Sequence, residues 1–214
     1  MDTGMGGNRG VVFRPAAAGD AAAAAPLVHA SGPEAFDYVF GGIRGGAPAY
    51  LRHALAQPRG AFGYRIHVVA ERDGRIVAVG AGWCDGGIAM ARATGLSLLA
   101  HAGPLRFAGL VRRGLRAEAV MPGPRRGEYY IGHLGVAPAL RGCGIGAALL
   151  RHLLEAGLAT GAARAVLDVS VENPRAEALY AKLGFRVAAT RPSDVASAFG
   201  RVPGHRRMVR ELGA

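Results

Sequence analysis

With 214 residues, half of them hydrophobic, the chain is long enough to bury a sizeable core and too apolar to stay disordered. Its net charge of +11 raises nucleic-acid binding, but Lys182 is the sole lysine among 26 basic residues, and the arginines are scattered among abundant Ala and Gly. GC-rich coding produces that skew whatever the function, so an anionic small molecule suffices as partner and no nucleic acid is expected.

Cys84 and Cys143 are too few and too far apart for a metal cluster or a disulfide framework, and the seven histidines form no HExxH or HxH pair, so no metal is expected. The N-terminus lacks a charged-then-apolar leader. The Ala16–Ala25 run is too short and weakly apolar for a membrane span, which points to a cytoplasmic protein.

Taken in chain order, residues 1–9 are Gly-rich and expected to be a flexible N-terminus, followed by a single domain over 10–214. Val11–Arg14 reads as a strand, and Asp20 as the cap of an Ala-rich helix. Ala47–Gln57 predicts a helix ended by Pro58 and Gly60. Tyr64–Arg72 and Arg75–Trp83 predict two strands joined at Asp73-Gly74, a pair suited to a turn with positive φ at both central positions. Residues 86–127 read as a helical insertion, about Ile88–His101 and Leu105–Ala119, apolar on one side with Arg106, Arg112, Arg113 and Arg116 on the other. A lid, a membrane-surface or homodimer contact, and a solvated basic face all fit that pattern.

Glu128–Val136 predicts the next strand, and Pro138 and Arg141 follow. Gly142, Gly144 and Gly146 then alternate ahead of the helix-forming run AALLRHLLEAGLA. Such glycines let backbone N–H groups converge, and the helix N-terminus adds its positive dipole end, so the loop suits phosphate oxygens. Ala165–Val171 predicts a buried strand, and Asn173-Pro174 an N-cap with proline at the first helical position. That helix ends at Gly184, and Phe185–Thr190 and His205–Leu212 predict two more strands around a long loop, Arg191–Gly204. The alternation implies an α/β sheet of mixed direction.

Two readings of the loop compete. GCGIGA, from Gly142 to Ala147, fits the permissive dinucleotide pattern, but Asp168 falls inside its strand and not at the end, where a ribose would need it. The other reading covers more residues. LGVAPALRGCGIGAALL resembles the acetyl-CoA signature of the GCN5-related N-acetyltransferases (GNAT), matched by Arg141, Gly144 and Gly146. ENPRAEALYAKLGF resembles that superfamily's second block at Asn173, Ala176, Leu179, Tyr180, Leu183, Gly184 and Phe185.

This resemblance covers about Glu128–Thr190, and residues 86–127 are longer than the link many members have there. It implies a central mixed, strongly twisted sheet of about six to seven strands flanked by helices, with two splayed parallel strands in the middle. It also implies an acetyl-CoA-dependent N-acetyltransferase acting on a primary amine, a small molecule or a peptide, by direct attack on the thioester. A non-catalytic acyl-CoA-binding module is the alternative. Leu134 and Val136 would pair with the pantetheine arm, Gly135 would ease a bulge, and the N–H groups from Arg141 through Gly142, Cys143, Gly144, Ile145 and Gly146 to Ala147 would hold the pyrophosphate. Asn173 and Ala176 would touch CoA, and Tyr180 would donate to the departing thiolate.

For the base, Glu128 and Tyr130 share strand parity with Leu134, whereas His133 points the other way unless a bulge shifts the register. Glu128, His133 and a water chain are the candidates. The basic segments Arg106–Arg116 and Arg125/Arg126 lean toward an acceptor carrying a carboxylate or phosphate.

Overall fold

Two antiparallel half-sheets meet along one short parallel seam in the computed structural model, which describes residues 10–213. The residue 1–9 segment expected to be flexible lies outside the described residues. The strands are β1 (Val11–Pro15), β2 (His67–Arg72), β3 (Arg75–Trp83), β4 (Glu128–Val136), β5 (Arg164–Ser170), β6 (Arg186–Arg191), β7 (Ala196–Ser197), β8 (Gly200–Arg201) and β9 (His205–Glu211). Seven of them form one sheet in the order β1-β2-β3-β4-β5-β9-β6, and β7 pairs with β8 inside the long loop. All contacts in the main sheet are antiparallel except β4 with β5.

The helices are α1 (Ala21–His29), α2 (Pro33–Phe40), α3 (Gly46–Leu55), α4 (Ile88–Ala102), α5 (Pro104–Val120), α6 (Ile145–Ala159) and α7 (Pro174–Lys182). The mixed α/β architecture expected from sequence is therefore the one observed. The sequence reading leaves α2 unassigned, although Pro33 stands at its first turn as helix entry favours. Asp20 does not cap α1: its carboxylate accepts from the Ala17 N–H and binds Arg14. The β2–β3 turn is as predicted, with φ of 52° at Asp73 and 71° at Gly74.

Three apolar clusters position the site. On one face α6 lays Leu149, Leu150 and Leu153 against Ala78, Ile131 and Leu167, the helical spacing giving one continuous apolar stripe. On the other face α1 and α3 bury Val28, Leu51 and Leu55 against Val69 and Val79. Outside that layer α4 and α5 pack on α2 and α3 through Leu98, Leu110 and Val120 against Tyr38 and Tyr50. The helices between β3 and β4 thus form an outermost layer, and their far side leaves Ile88, Leu96, Leu105 and Leu115 exposed. No described helix is long and apolar enough to cross a membrane.

Candidate active site

The seam between β4 and β5 closes over three residue pairs only, Glu128↔Arg164, Tyr129↔Ala165 and Tyr130↔Val166. Beyond it the strands part. β4 stays bonded to β3 as far as Val136, and β5 to β9 as far as Ser170, so each keeps its outer partner while the inner edges face a gap. A wedge with two unpaired edges can take an extended ligand by strand addition.

β4 carries an extra residue inside this wedge. Val79 faces Gly135 and Ala81 faces Gly132, so three steps of β4 match two of β3, and His133 takes φ of 56°. The bulge therefore lies at His133, not at Gly135. Gly135 serves a different need, because a side chain there would collide with the Leu27 carbonyl oxygen of α1. The bulge also reverses the parity expected from sequence. Tyr129 and Ile131 face α6, as do Leu134 and Val136 after the bulge, whereas Tyr130 and His133 meet Trp83 on the opposite face. Glu128 and Tyr130 consequently do not share a face with Leu134.

After β4 the chain turns through Pro138–Leu140 into the glycine loop. Gly142 and Gly144 have φ of 88° and 83°, a region that L side chains rarely adopt. The first helical bond of α6 runs from the Ala148 N–H to the Gly144 carbonyl at 3.0 Å, and no side chain caps the helix. The amides of Gly142, Gly144, Ile145, Gly146 and Ala147 accordingly have no acceptor among the described residues. The Cys143 amide reaches the Leu140 carbonyl at 3.4 Å, and its thiol is free and exposed. Arg141 folds back, its Nε donating to the Val136 carbonyl at 3.1 Å, so that carbonyl is already engaged. Converging donors at an uncapped helix N-terminus make an anion cradle.

Arg175, which the sequence reading missed, completes it: its guanidinium comes within 3.4 Å of where a Gly142 Cβ would stand. The signal was a cation in the first turn of a helix, where the dipole disfavours positive charge unless an anion is near.

Asn173 caps α7, its Oδ1 accepting from the Ala176 N–H at 3.1 Å, so the Ala176 amide is also engaged. The helix closes with the Phe185 N–H on the Tyr180 carbonyl and the Gly184 N–H on Ala181, a Schellman arrangement around Gly184 with φ of 85°. That closure fixes Tyr180 against Phe185, with ring centroids 6.2 Å apart. Burial pushes the Tyr180 hydroxyl up to about 12, so it remains a donor at neutral pH. Among the described residues nothing hydrogen-bonds that hydroxyl. It lies near enough to Tyr130 that ionisation of one opposes ionisation of the other.

The candidate bases fare differently. Glu128 is 5% exposed, accepting from Arg207 Nη2 at 2.9 Å and from the Arg125 N–H at 2.8 Å. It anchors the closed end of the wedge and is not a free carboxylate. His133 stacks on Phe62 and on His67, with centroids 5.2 Å away in each case, and its Nδ1 lies 3.1 Å from His67 Nε2. Burial, and then the neighbouring His67, hold the His133 pKa well below the usual histidine value.

A further buried network was not foreseen. Tyr130 donates to Asp168 at 3.0 Å, Arg207 Nη1 donates to the same oxygen at 3.0 Å, and the Arg207 guanidinium lies 5.4 Å from the centre of the Tyr130 ring. Arg207 also binds the carbonyls of Pro122 and Gly123, tying the end of the α4–α5 segment to the wedge. Burial raises the Asp168 pKa against the opposing pull of Arg207. The sequence signal was a carboxylate inside an otherwise apolar strand, AVLDVSV.

The model of the Acetyltransferase (GNAT) family matches residues 46–185. A mycothiol acetyltransferase from Parafrankia sp. (strain EAN1pec) is 49% identical over 72 residues, covering 32% of this chain and 20% of that protein. The match thus spans about a fifth of that curated relative's length. Among solved structures, an N-acetyltransferase from Staphylococcus aureus Mu50 gives a TM-score of 0.69 at 18% identity over 92% of this chain and 99% of that one. The ribosomal-protein-S18-alanine N-acetyltransferase from Escherichia coli gives 0.55 at 16% identity over 95% of each chain. These two likenesses carry the fold alone, whereas the family match takes in the β4–β5 seam, the glycine loop, Asn173 and Tyr180. The chain belongs to the acetyltransferase (GNAT) family.

Proposed function

We propose that this acetyltransferase uses acetyl-CoA as donor and a primary amine, on a small molecule or a peptide, as acceptor, by direct attack on the thioester. The observation that carries the reading is the wedge: β4 and β5 separate after Tyr130 and Val166, and the free amides around Gly144 stand at the end of β4 that leads out of it. The loop amides and Arg175 suit the pyrophosphate, and the unpaired edge of β4 suits the pantetheine amides. The positively curved backbone at His133 supports a main-chain donor for the oxyanion.

As the amine nitrogen bonds to the carbonyl carbon, the C–S bond breaks with its electron pair on sulfur. Tyr180 then donates to that sulfur. The amine proton leaves to His133, the base candidate whose ring nitrogen is free, and not to Glu128, whose Oε2 accepts from both Arg207 and the Arg125 amide and whose Oε1 lies 3.8 Å from Arg164 Nε. The helices α4 and α5 wall the acceptor side. The stretch shared with the mycothiol acetyltransferase is too short to carry its acceptor over to this chain.

The test is CoA release from acetyl-CoA across a panel of amines, with thermal protection by CoA and by NAD measured in parallel. Amine-dependent CoA release that falls roughly 100-fold in Tyr180→Phe is expected. CoA protection without turnover on any amine would leave the non-catalytic acyl-CoA module, and protection by NAD alone would sink both.

A further inference from the structure

Gly63 closes a tight turn whose backbone at Arg59 leaves no room for a side chain, and its carbonyl faces His67. A carbonyl oxygen can only accept, so at 2.8 Å His67 Nδ1 carries the hydrogen. His67 is 2% exposed, and burial keeps its ring neutral by pushing the pKa down to about 4. A neutral ring with hydrogen on Nδ1 offers Nε2 as an acceptor. His133 Nδ1, 3.1 Å from that atom, must therefore donate. Only His133 Nε2 is left with a lone pair, and it has no partner among the described residues.

We infer that His67 is a positioning residue: oriented by the Gly63 carbonyl, it locks His133 in the Nδ1–H form and so makes Nε2 the atom that takes the acceptor amine's proton. The inference rests on the acetyl transfer proposed above. One hydrogen of the amine passes to His133 Nε2 as the N–C bond forms, and the positive ring is balanced by negative charge growing on the oxyanion and then on sulfur. The proton leaves to solvent afterwards. Strain supports the assignment, since a non-glycine residue at φ of 56° in a strand is costly and here turns the ring from the α6 face toward Phe62, His67 and Trp83. The titratable groups facing His133 are His67 from β2, Tyr130 with Arg207 beyond Trp83, and the His29–Asp37 pair of α1 and α2 behind Phe36.

The experiment reads the proton directly. In protein labelled with ¹⁵N in its histidine rings, and with His133 assigned by comparison with His133→Gln, the wild type is expected to show hydrogen on Nδ1. His67→Phe keeps a ring of similar size but offers no acceptor. His133 should then carry hydrogen mainly on Nε2, and kcat with amine should fall at least about 10-fold while KM for acetyl-CoA stays put. His67→Gln presents a side-chain oxygen and should restore the Nδ1–H form and most of the rate. Hydrogen on Nε2 in the wild type, or an unchanged form in His67→Phe, overturns the inference. The form is read without substrate, so a wild type that holds Nδ1–H yet acetylates no amine overturns the acetyl-transfer reading and leaves the His67–His133 geometry standing.

Discussion

The glycine loop at Arg141–Ala147 and the aromatic–histidine cluster around His133 are both reached from β4, but they are made of different material. The loop presents main-chain amides freed by positive φ at Gly142 and Gly144 and by an uncapped α6. The Arg141 side chain folds back onto the Val136 carbonyl. The His133 cluster is built of side chains gathered from α2, the segment before β2, β2 itself, β3 and β4, in which Phe36, Phe62, His67, Trp83 and His133 meet ring to ring. A backbone cradle constrains its own sequence, since few residues tolerate the required φ. A side-chain cluster constrains distant positions jointly, and no single one of them announces it.

That difference predicts where substitutions will hurt. The largest effect is expected from Glu128→Gln, which takes a charge from the buried pair with Arg207 at the closed end of the seam. Breaking one partner of such a pair costs about 3 kcal/mol, to be measured by denaturant unfolding. In the fraction that remains folded, the pH profile of kcat/KM should keep its shape. A lost acid limb would return Glu128 to the role of base and move the chemistry to the zipped part of the seam.

A nearly equal effect is expected from pH. The His67 pKa lies at about 4 in the folded protein against 6.5 for an ordinary histidine, so between those values the unfolded chain binds a proton that the folded protein does not. Stability from this group is present above pH 6.5 and lost as pH falls toward 4, by roughly 3 kcal/mol. Comparing unfolding free energies of wild type and His67→Phe from pH 7 to 4 isolates it. The variant should lose less on acidification, and parallel curves would mean that His67 is not held neutral by burial.

How far the sequence reached follows the same division. The loop, the Asn173 cap and the Gly184 closure were legible because each is local: a helix end needs a cap, and a left-handed residue needs glycine. The splay of β4 from β5 came only through the family resemblance. The position of the bulge was not readable, because register depends on how β3 is laid beside β4, and at His133 it reversed the faces assigned to Glu128, Tyr130 and Leu134. His67 and Asp168 gained their roles from partners 66 and 39 positions away, His133 and Arg207, a separation no local pattern spans.

Substituting Gly144→Ala tests the cradle side. Alanine can adopt the left-handed φ of 83° at a cost of about 1–2 kcal/mol, and no atom stands within 4 Å of the added Cβ, so the fold should survive. The amide directions should shift as the loop relieves that strain by moving away from φ of 83°. KM for acetyl-CoA is expected to rise several-fold with the amine KM unmoved. The opposite split would mean that the loop is a bare turn.

Thr94→Val tests the other side at its margin, and its expected effect is the smallest. Thr94, on α4, accepts the Ala61 N–H at 2.8 Å and donates to the Met90 carbonyl at 2.9 Å. It thereby pins the Gly60–Gly63 turn whose carbonyl orients His67. Valine keeps the shape and removes the acceptor, stranding one amide at a cost of about 1 kcal/mol. The consequence should travel by one route only: a looser Gly63 carbonyl, a less firmly held His67, and kcat/KM for the amine about three-fold lower with acetyl-CoA unaffected. If the acetyl-CoA constants moved instead, α4 would be coupled to the backbone cradle, and the separation of the two sides along β4 would not hold. If neither moved, the turn would be held by its own Gly63-to-Gly60 hydrogen bond at 3.1 Å, and α4 would cover the acceptor side without ordering it.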